Sequence, residues 1–438
     1  MNADVLKANQ RSSVLPMLII GLLFFIFGFV TWLNGSLIPF LKIICHLNDF
    51  EAFFVTFAFY IAYTVMALPM SFVLKRTGYK NGMALGLGIM AVGALLHIPA
   101  AISANFLLFL LALFVLASGL TILQTASNPY VVHIGPKESA AMRISVMGLI
   151  NKGAGVIVPL LFTALILSGM SDFSADHLAH LDAAARSAKI SELSHKLIMP
   201  YLIMAIALFA LIALVKFSSL PEITITSADQ LQHETKTSVL HFPQIVLGAM
   251  ALFAYVGVEV MAGDTIGLYG SSLHVANFSS LTSYTMVFMV LGYIIGVTCI
   301  PRFITQEQAL IGSAFAGIAC VIGVIFGSTE STSVATLLWG WTGIPVIPNT
   351  VTFVAMMGLA HALVWPSIWP LALADLGKFT AQGSALLIMG ISGGAILPLM
   401  YGKLAHVTGH TQFAYVIALP CYLFILFYAL KGHKLRRW

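Results

Sequence analysis

The run Tyr255-Val-Gly-Val-Glu-Val-Met-Ala-Gly-Asp264 decides how this chain is read. It lies inside an apolar stretch, Gln244–Leu268, that is long enough to cross a bilayer, yet it carries two carboxylates. Acids within a span are expensive, and they face a bundle interior or a water-filled path. Tyr255, Glu259 and Gly263 fall at i, i+4 and i+8 and so share one helix face. Asp264 lies on a different face unless the helix breaks, and Gly263 is the residue that would permit a break.

The rest of the chain has the same character. Of 438 residues, 59% are apolar and only 8% are charged, with a mean hydropathy of +0.97. A soluble domain carries about a quarter charged residues, so this composition implies an integral membrane protein. The net charge of +5 is spread over loops rather than clustered on a face, which argues against a nucleic-acid partner. Cys45, Cys299, Cys320 and Cys421 have no metal-ligand spacing and read as small core hydrophobes. The polar segment Met1–Pro16 lacks a signal-peptide cleavage site, so the first apolar run is expected to stay in the membrane. No Walker loop, dinucleotide fingerprint or HExxH is present, and no nucleophile–base pair can be argued. The expectation is not an enzyme, and no cofactor.

A span needs about 20 apolar residues. Six such runs are Met17–Leu41, Ala52–Leu74, Gly82–Ala101, Phe106–Val132, Ile144–Leu167 and Leu197–Phe217. Six more are Gln244–Leu268, Leu281–Ile300, Ala309–Phe326, Val351–Leu373, Ala381–Met400 and Phe413–Leu430. The polar connector Ser218–His241 divides them six and six. A second polar loop, Gly169–Lys196, suggests a short surface helix.

With the N-terminus inside, the 21 basic residues divide into fifteen on the inner side, five on the outer side, and Lys152 within a span. The positive-inside bias therefore expects both termini to be cytoplasmic. The halves also echo each other. Span five contains Gly155-Val-Ile-Val-Pro159-Leu160, and span eleven contains Gly394-Ala-Ile-Leu-Pro398-Leu399. Asn128-Pro129 in span four and Trp369-Pro370 in span ten also stand at matching places. Two parallel six-helix repeats around a central cavity would produce this pattern.

Several polar side chains sit where lipid would not want them. In span four, Thr121, Gln124 and Asn128 line one face at i, i+3 and i+7. Hydrocarbon offers amides no partner, and an amide that both donates and accepts suits a ligand dense in hydroxyls. Contacts between helices are the alternative use of Gln and Asn. In span one, Thr31, Asn34 and Gly35 share a face ahead of Pro39. Spans one, four, seven and ten hold equivalent places, each with a polar or aromatic interruption beside Pro or Gly. Interrupted helices in matching places point to a transport site. In span ten, His361, Trp365 and Trp369 form a stripe at i, i+4 and i+8. Trp faces stack on the C–H side of a sugar ring, while the N–H bonds a hydroxyl.

In span five, Asn151 is followed by Lys152, about nine residues or roughly 14 Å from the inner end. Lys152 either snorkels to the interface or needs a carboxylate, and only Glu259 and Asp264 lie in the spans as partners. A lysine that pairs with an acid while a cation is absent is one route to ion coupling. The loop Leu74-Lys-Arg-Thr-Gly-Tyr-Lys80 has the basic–Gly–basic spacing of the major facilitator loop signature, without its usual acid.

Three stretches carry a family resemblance. They are Trp32-Leu-Asn34-Gly35-Ser-Leu-Ile-Pro39, Leu123-Gln124-Thr-Ala-Ser-Asn128-Pro129-Tyr130 with Gly135-Pro136, and Tyr255-Val-Gly-Val-Glu259. With them the chain resembles bacterial sugar permeases of the fucose–galactose–glucose symporter family, within the major facilitator superfamily. In the fucose branch, an Asp of span one and a Glu of span four are linked to proton coupling, and here Gly35 and Gln124 stand in their places. The resemblance is closer to the glucose/galactose branch, where sodium coupling is implied for some members. Na⁺ accepts carboxylate, hydroxyl and carbonyl oxygens without a titratable group.

The expected fold is an all-α membrane protein with twelve transmembrane helices in two six-helix pseudo-repeats, the major facilitator fold. It divides into an N-terminal bundle 1–217, a cytoplasmic linker 218–241 and a C-terminal bundle 242–438. The expected function is import of a hexose, glucose or galactose, by alternating access coupled to Na⁺. An H⁺-coupled fucose/hexose symporter and an uncoupled hexose uniporter are the alternatives. Substrate contacts are expected from Asn34, Gln124, Asn128, Asn151, Lys152, Glu259, His361, Trp365 and Trp369. Cation coupling is expected from Glu259, Asp264 and Lys152, with no metal beyond a transported Na⁺ at Asp264 or Glu259. Glu259 suits either role, since a carboxylate accepts two sugar hydroxyls. The chain is expected to act as a monomer in the bacterial inner membrane, with sugar and lipid as its partners. A drug-efflux carrier would have few amides, and a membrane enzyme would need a His/Asp/Glu cluster at one membrane face.

Overall fold

A computed structural model describes residues 3–133, 140–166, 182–218, 220, 238–300, 302–376 and 379–438. Within them lie twelve helices long and apolar enough to cross a membrane. The first half contains α1 (Leu15–Ile44), α2 (Phe50–Ala67), α3 (Arg76–Ser103), α4 (Phe106–Ser127), α5 (Val146–Leu165) and α6 (Ala184–Phe217). The second contains α7 (Pro243–Ser272), α8 (Phe278–Cys299), α9 (Gln306–Phe326), α10 (Asn349–Leu373), α11 (Leu386–Thr408) and α12 (Phe413–Lys434). No strand occurs among the described residues. Hydrocarbon cannot satisfy a bare amide, so each span closes its own hydrogen bonds as a helix. The membrane face where α1 begins is called the near face here, and the opposite one the far face.

The connections follow local chemistry. Between α2 and α3 the helix is continuous except at Gly78, whose φ of 75° and ψ of 174° are accessible almost only to glycine. The expected loop 74–80 is therefore one sharp corner. On the far face, the first part of α6 is the expected short surface helix, Ala183–His195, which Asp182 caps by accepting from the Ala185 amide at 2.7 Å. The spanning helix Ile198–Phe217 follows it. Most of the connector 218–241 lies outside the described residues.

Of the interruptions expected in spans one, four, seven and ten, those of spans one and ten occur and those of spans four and seven do not. α7 runs unbroken through Gly263 and Asp264, and the helix containing α4 is likewise continuous from Phe106 to His133. The hydrogen-bond ladder is broken in α1 at Leu33 and in α10 at Ala362–Leu363. In α10 the reason is Pro366, which has no N–H for the Ala362 carbonyl. Gly263 serves packing rather than bending. A methyl group there would stand 2.6 Å from the Trp32 ring, so only glycine lets α1 and α7 approach this closely.

The halves are joined toward the far face. Ser36 of α1 donates to the Ser279 carbonyl at 2.7 Å, and Thr163 of α5 meets the Ser279 hydroxyl at 2.8 Å. Ser283 of α8 donates to the Val156 carbonyl at 2.7 Å. Thr56 of α2 donates to Asp264 at 3.0 Å, and Phe53 packs edge-on against Tyr401.

Candidate functional site

Lys152 of α5 reaches across the interface between the halves and places its ammonium 2.5 Å from Glu259 Oε1 of α7. Both side chains are buried, 11% and 7% exposed. The ammonium also lies 4.3 Å from the centre of the Trp32 ring. Two charges out of water lose their hydration, and this is offset only by close contact and further partners. The aromatic face supplies one such partner, since its quadrupole attracts a cation. Trp32 is wedged among Met286, Met289, Tyr293 and Ala362, so the pair is walled by residues of both halves.

The aromatic stripe of α10 lines the other side. Tyr255, one turn before Glu259, stands edge-on to His361 at 6.1 Å and tilted to Trp365 at 6.4 Å. Trp365 and Trp369 stack at 5.3 Å and are half-buried. His361 Nε2 is 2.6 Å from the Tyr422 hydroxyl, whereas its Nδ1 is buried with no hydrogen-bond partner.

The amides divide by what they touch. Gln124 Nε2 donates to the Tyr63 hydroxyl at 2.9 Å, and Tyr63 stacks on Tyr60 at 6.2 Å. The remaining acceptor oxygen of Gln124 is left for other partners. Asn34 Nδ2, beside the α1 break, is buried without a partner. Asn151 instead donates to the Phe24 carbonyl at 3.3 Å, which ties α5 to α1. Thr121 bonds its own helix at the Ala117 carbonyl. The side chain of Asn128 lies outside the described residues.

Asp264 stands apart from this group. It is fully buried, one oxygen accepts from Thr56, and Oδ1 has no hydrogen-bond partner. Among the described residues it takes part in no ion pair, and no group of three His, Cys, Asp or Glu side chains is placed to hold a metal. Trp32, Tyr60, Tyr63, Tyr293 and Tyr422 were not singled out as site residues from sequence. Aromatic residues are common throughout the spans, and only their contacts with the ion pair, Gln124 and His361 distinguish these five.

The profile of the Major Facilitator Superfamily matches residues 20–398. The chain belongs to the major facilitator superfamily. Within it, the chain is 34% identical over 432 residues to a glucose/galactose transporter of Brucella abortus, covering 98% of this chain and 96% of that one. It is 28% identical to the L-fucose-proton symporter of Escherichia coli, covering 96% of this chain and 94% of that one. These relatives place it in the fucose–galactose–glucose family. The solved structure of the E. coli fucose–proton symporter superposes with a TM-score of 0.71 at 24% identity, over 96% of this chain and 98% of that chain. That likeness carries the fold, twelve helices in two halves; the superfamily match and the relatives make it a multi-pass transporter rather than an enzyme. Pro159 lies inside α5 and Pro398 inside α11, the fifth span of each half.

Proposed function

We propose that the protein imports a hexose, glucose or galactose, by alternating access, and that Na⁺ drives it. The observation that carries this reading is the Lys152–Glu259 ion pair, buried between the halves against the Trp32 ring. The Glu259 carboxylate is balanced by one positive charge, the Lys152 ammonium. A Na⁺ that takes the place of the ammonium releases Lys152, and with it one tie between α5 and α7. Sugar hydroxyls then bond Gln124, Asn34 and Glu259, while a Trp365 face covers the apolar side of the ring. Binding of both solutes frees the halves to rock about the site. The names of the relatives support a sugar cargo, glucose or galactose in one and fucose with a proton in the other. The uncharged Gly35 and Gln124 favour a coupling ion that binds elsewhere. In this reading the near face is cytoplasmic, the membrane is the bacterial inner membrane, and the protein acts as a monomer.

A proton-driven reading is favoured by a different observation. Asp264 is fully buried with one oxygen unpartnered and no ion-pair partner among the described residues, and a proton would neutralise it. Labelled glucose uptake into proteoliposomes with an imposed Na⁺ or H⁺ gradient separates the readings. Accumulation under the Na⁺ gradient alone is expected. Accumulation under the H⁺ gradient alone selects the proton reading, and accumulation under neither leaves a uniporter.

A further inference from the structure

The connection between α9 and α10 on the far face is built unlike an exposed loop. Residues 331–350 contain no Asp, Glu, Lys, Arg or His. Yet the segment is folded. A short helix, Ser333–Trp339, is followed by a turn in which Thr342 Oγ1 donates to the Trp339 carbonyl at 2.7 Å and Gly343 adopts a φ of 78°. Asn349 closes the segment, accepting from the Val334 amide at 2.9 Å and donating to Ser333 at 3.1 Å.

The two sides of this hairpin differ. Its inner side, Ala335, Trp339 and Ile347, is buried. Trp339 packs on Tyr284 and Phe288 of α8, and its Nε1 donates to the Pro345 carbonyl, which also accepts from the Tyr284 hydroxyl at 3.1 Å. The outer side presents Leu337 and Trp341, 81% and 82% exposed, together with Ile344 and Val346. Apolar side chains gathered on one folded surface mark a contact with something other than water.

We propose that Ser333–Ile347 is a lipid-seated hairpin, lying in the interfacial layer of the far leaflet with Trp341 and Leu337 in the acyl–headgroup boundary. Three observations select lipid as the occupant. The hairpin abuts the exposed apolar face of α8, because Trp339 on its inner side packs on Phe288, and Val287 and Leu291 beside Phe288 are exposed and in a spanning helix face acyl chains. The hairpin satisfies much of its backbone internally, as water-poor surroundings require. It carries an exposed Trp341 just beyond the far ends of α9 and α10, and amphipathic rings settle beside span ends. Its inner edge is fixed to α8 at Tyr284, next to Ser283, which holds the first half through Val156. The hairpin thus braces against lipid the helix that bears the far-face contacts.

The test is fluorescence of the full chain in phosphatidylcholine liposomes, taken as the difference between the wild type and W341F. Trp341 is largely exposed, so the variant keeps its fold. The component lost in W341F is expected to be quenched by lipid carrying a doxyl group at carbon 5, less by one at carbon 16, and weakly by aqueous acrylamide. Strong acrylamide quenching with no doxyl effect overturns the proposal in favour of a water-exposed loop. Shielding from both quenchers, with two copies per particle by light scattering, overturns it in favour of self-association. Neither outcome bears on sugar transport, which rests on the Lys152–Glu259 pair.

Discussion

Lys152 and Glu259 stand 107 positions apart in the chain and meet at 2.5 Å in the middle of the bundle. Each belongs to a different half, so the contact links the two bodies that alternating access must separate. Trp32 supports the lysine from below, which makes the pair a three-residue unit drawn from α1, α5 and α7.

Lys152→Ala leaves Glu259 buried without its counter-charge. Removing one partner of a buried pair costs about 3–5 kcal/mol. Thermal unfolding in detergent is expected to show the loss, and Lys152→Ala with Glu259→Gln to recover part of it. In proteoliposomes, Lys152→Ala should abolish gradient-driven accumulation while counterflow persists. Undiminished accumulation would remove the pair from coupling.

Thr56→Ala takes away the one donor seen on Asp264. A buried acceptor left without its donor costs about 1–3 kcal/mol. Because the bond joins the halves toward the far face, the variant should open that side. Faster labelling by an impermeant maleimide at a cysteine introduced as S279C is the expected readout, and an unchanged rate would show that Asp264 is no latch.

Gly263→Ala drives a methyl group toward the Trp32 ring, which lies 2.6 Å from the added carbon. Overpacking of this kind costs about 1–3 kcal/mol. Trp32 should be displaced from beneath Lys152, so sugar uptake is expected to fall more than stability alone explains. Adding Trp32→Phe makes room for the methyl and should recover stability without recovering uptake. Recovery of both would reduce Trp32 to a packing residue.

Gly78→Ala places a β-carbon at a corner with a φ of 75°. Backbone strain at such a residue is about 1–3 kcal/mol. A lower unfolding temperature is expected with unchanged sugar affinity, since the corner lies at the near face, away from the ion pair. Loss of affinity at constant stability would assign the corner a part in binding.

The amide row shows where sequence reasoning stops. Period and polarity placed Gln124 among its neighbours on one face of α4, but only packing shows it donating to Tyr63. Asn151 looked equivalent to it by residue type, yet its amide is used on the Phe24 carbonyl as a tie between helices. The break that Gly263 would permit does not occur, because glycine in a span serves close approach as readily as bending.

Twelve spans and a pair of acids stranded in apolar helix were legible in the chain itself, because hydrocarbon demands runs of fixed length and punishes every charge within them. The division into two halves was legible for a related reason: repeated helices keep their glycine and proline landmarks in order. The choice of Glu259 over Asp264 for Lys152, the hydroxyl of Thr56 for Asp264, and the ring of Trp32 under the ammonium were decided only in three dimensions. Those partners lie on helices that meet by side-chain packing across the two halves, and helical period constrains a residue's face but not the neighbour that comes to it.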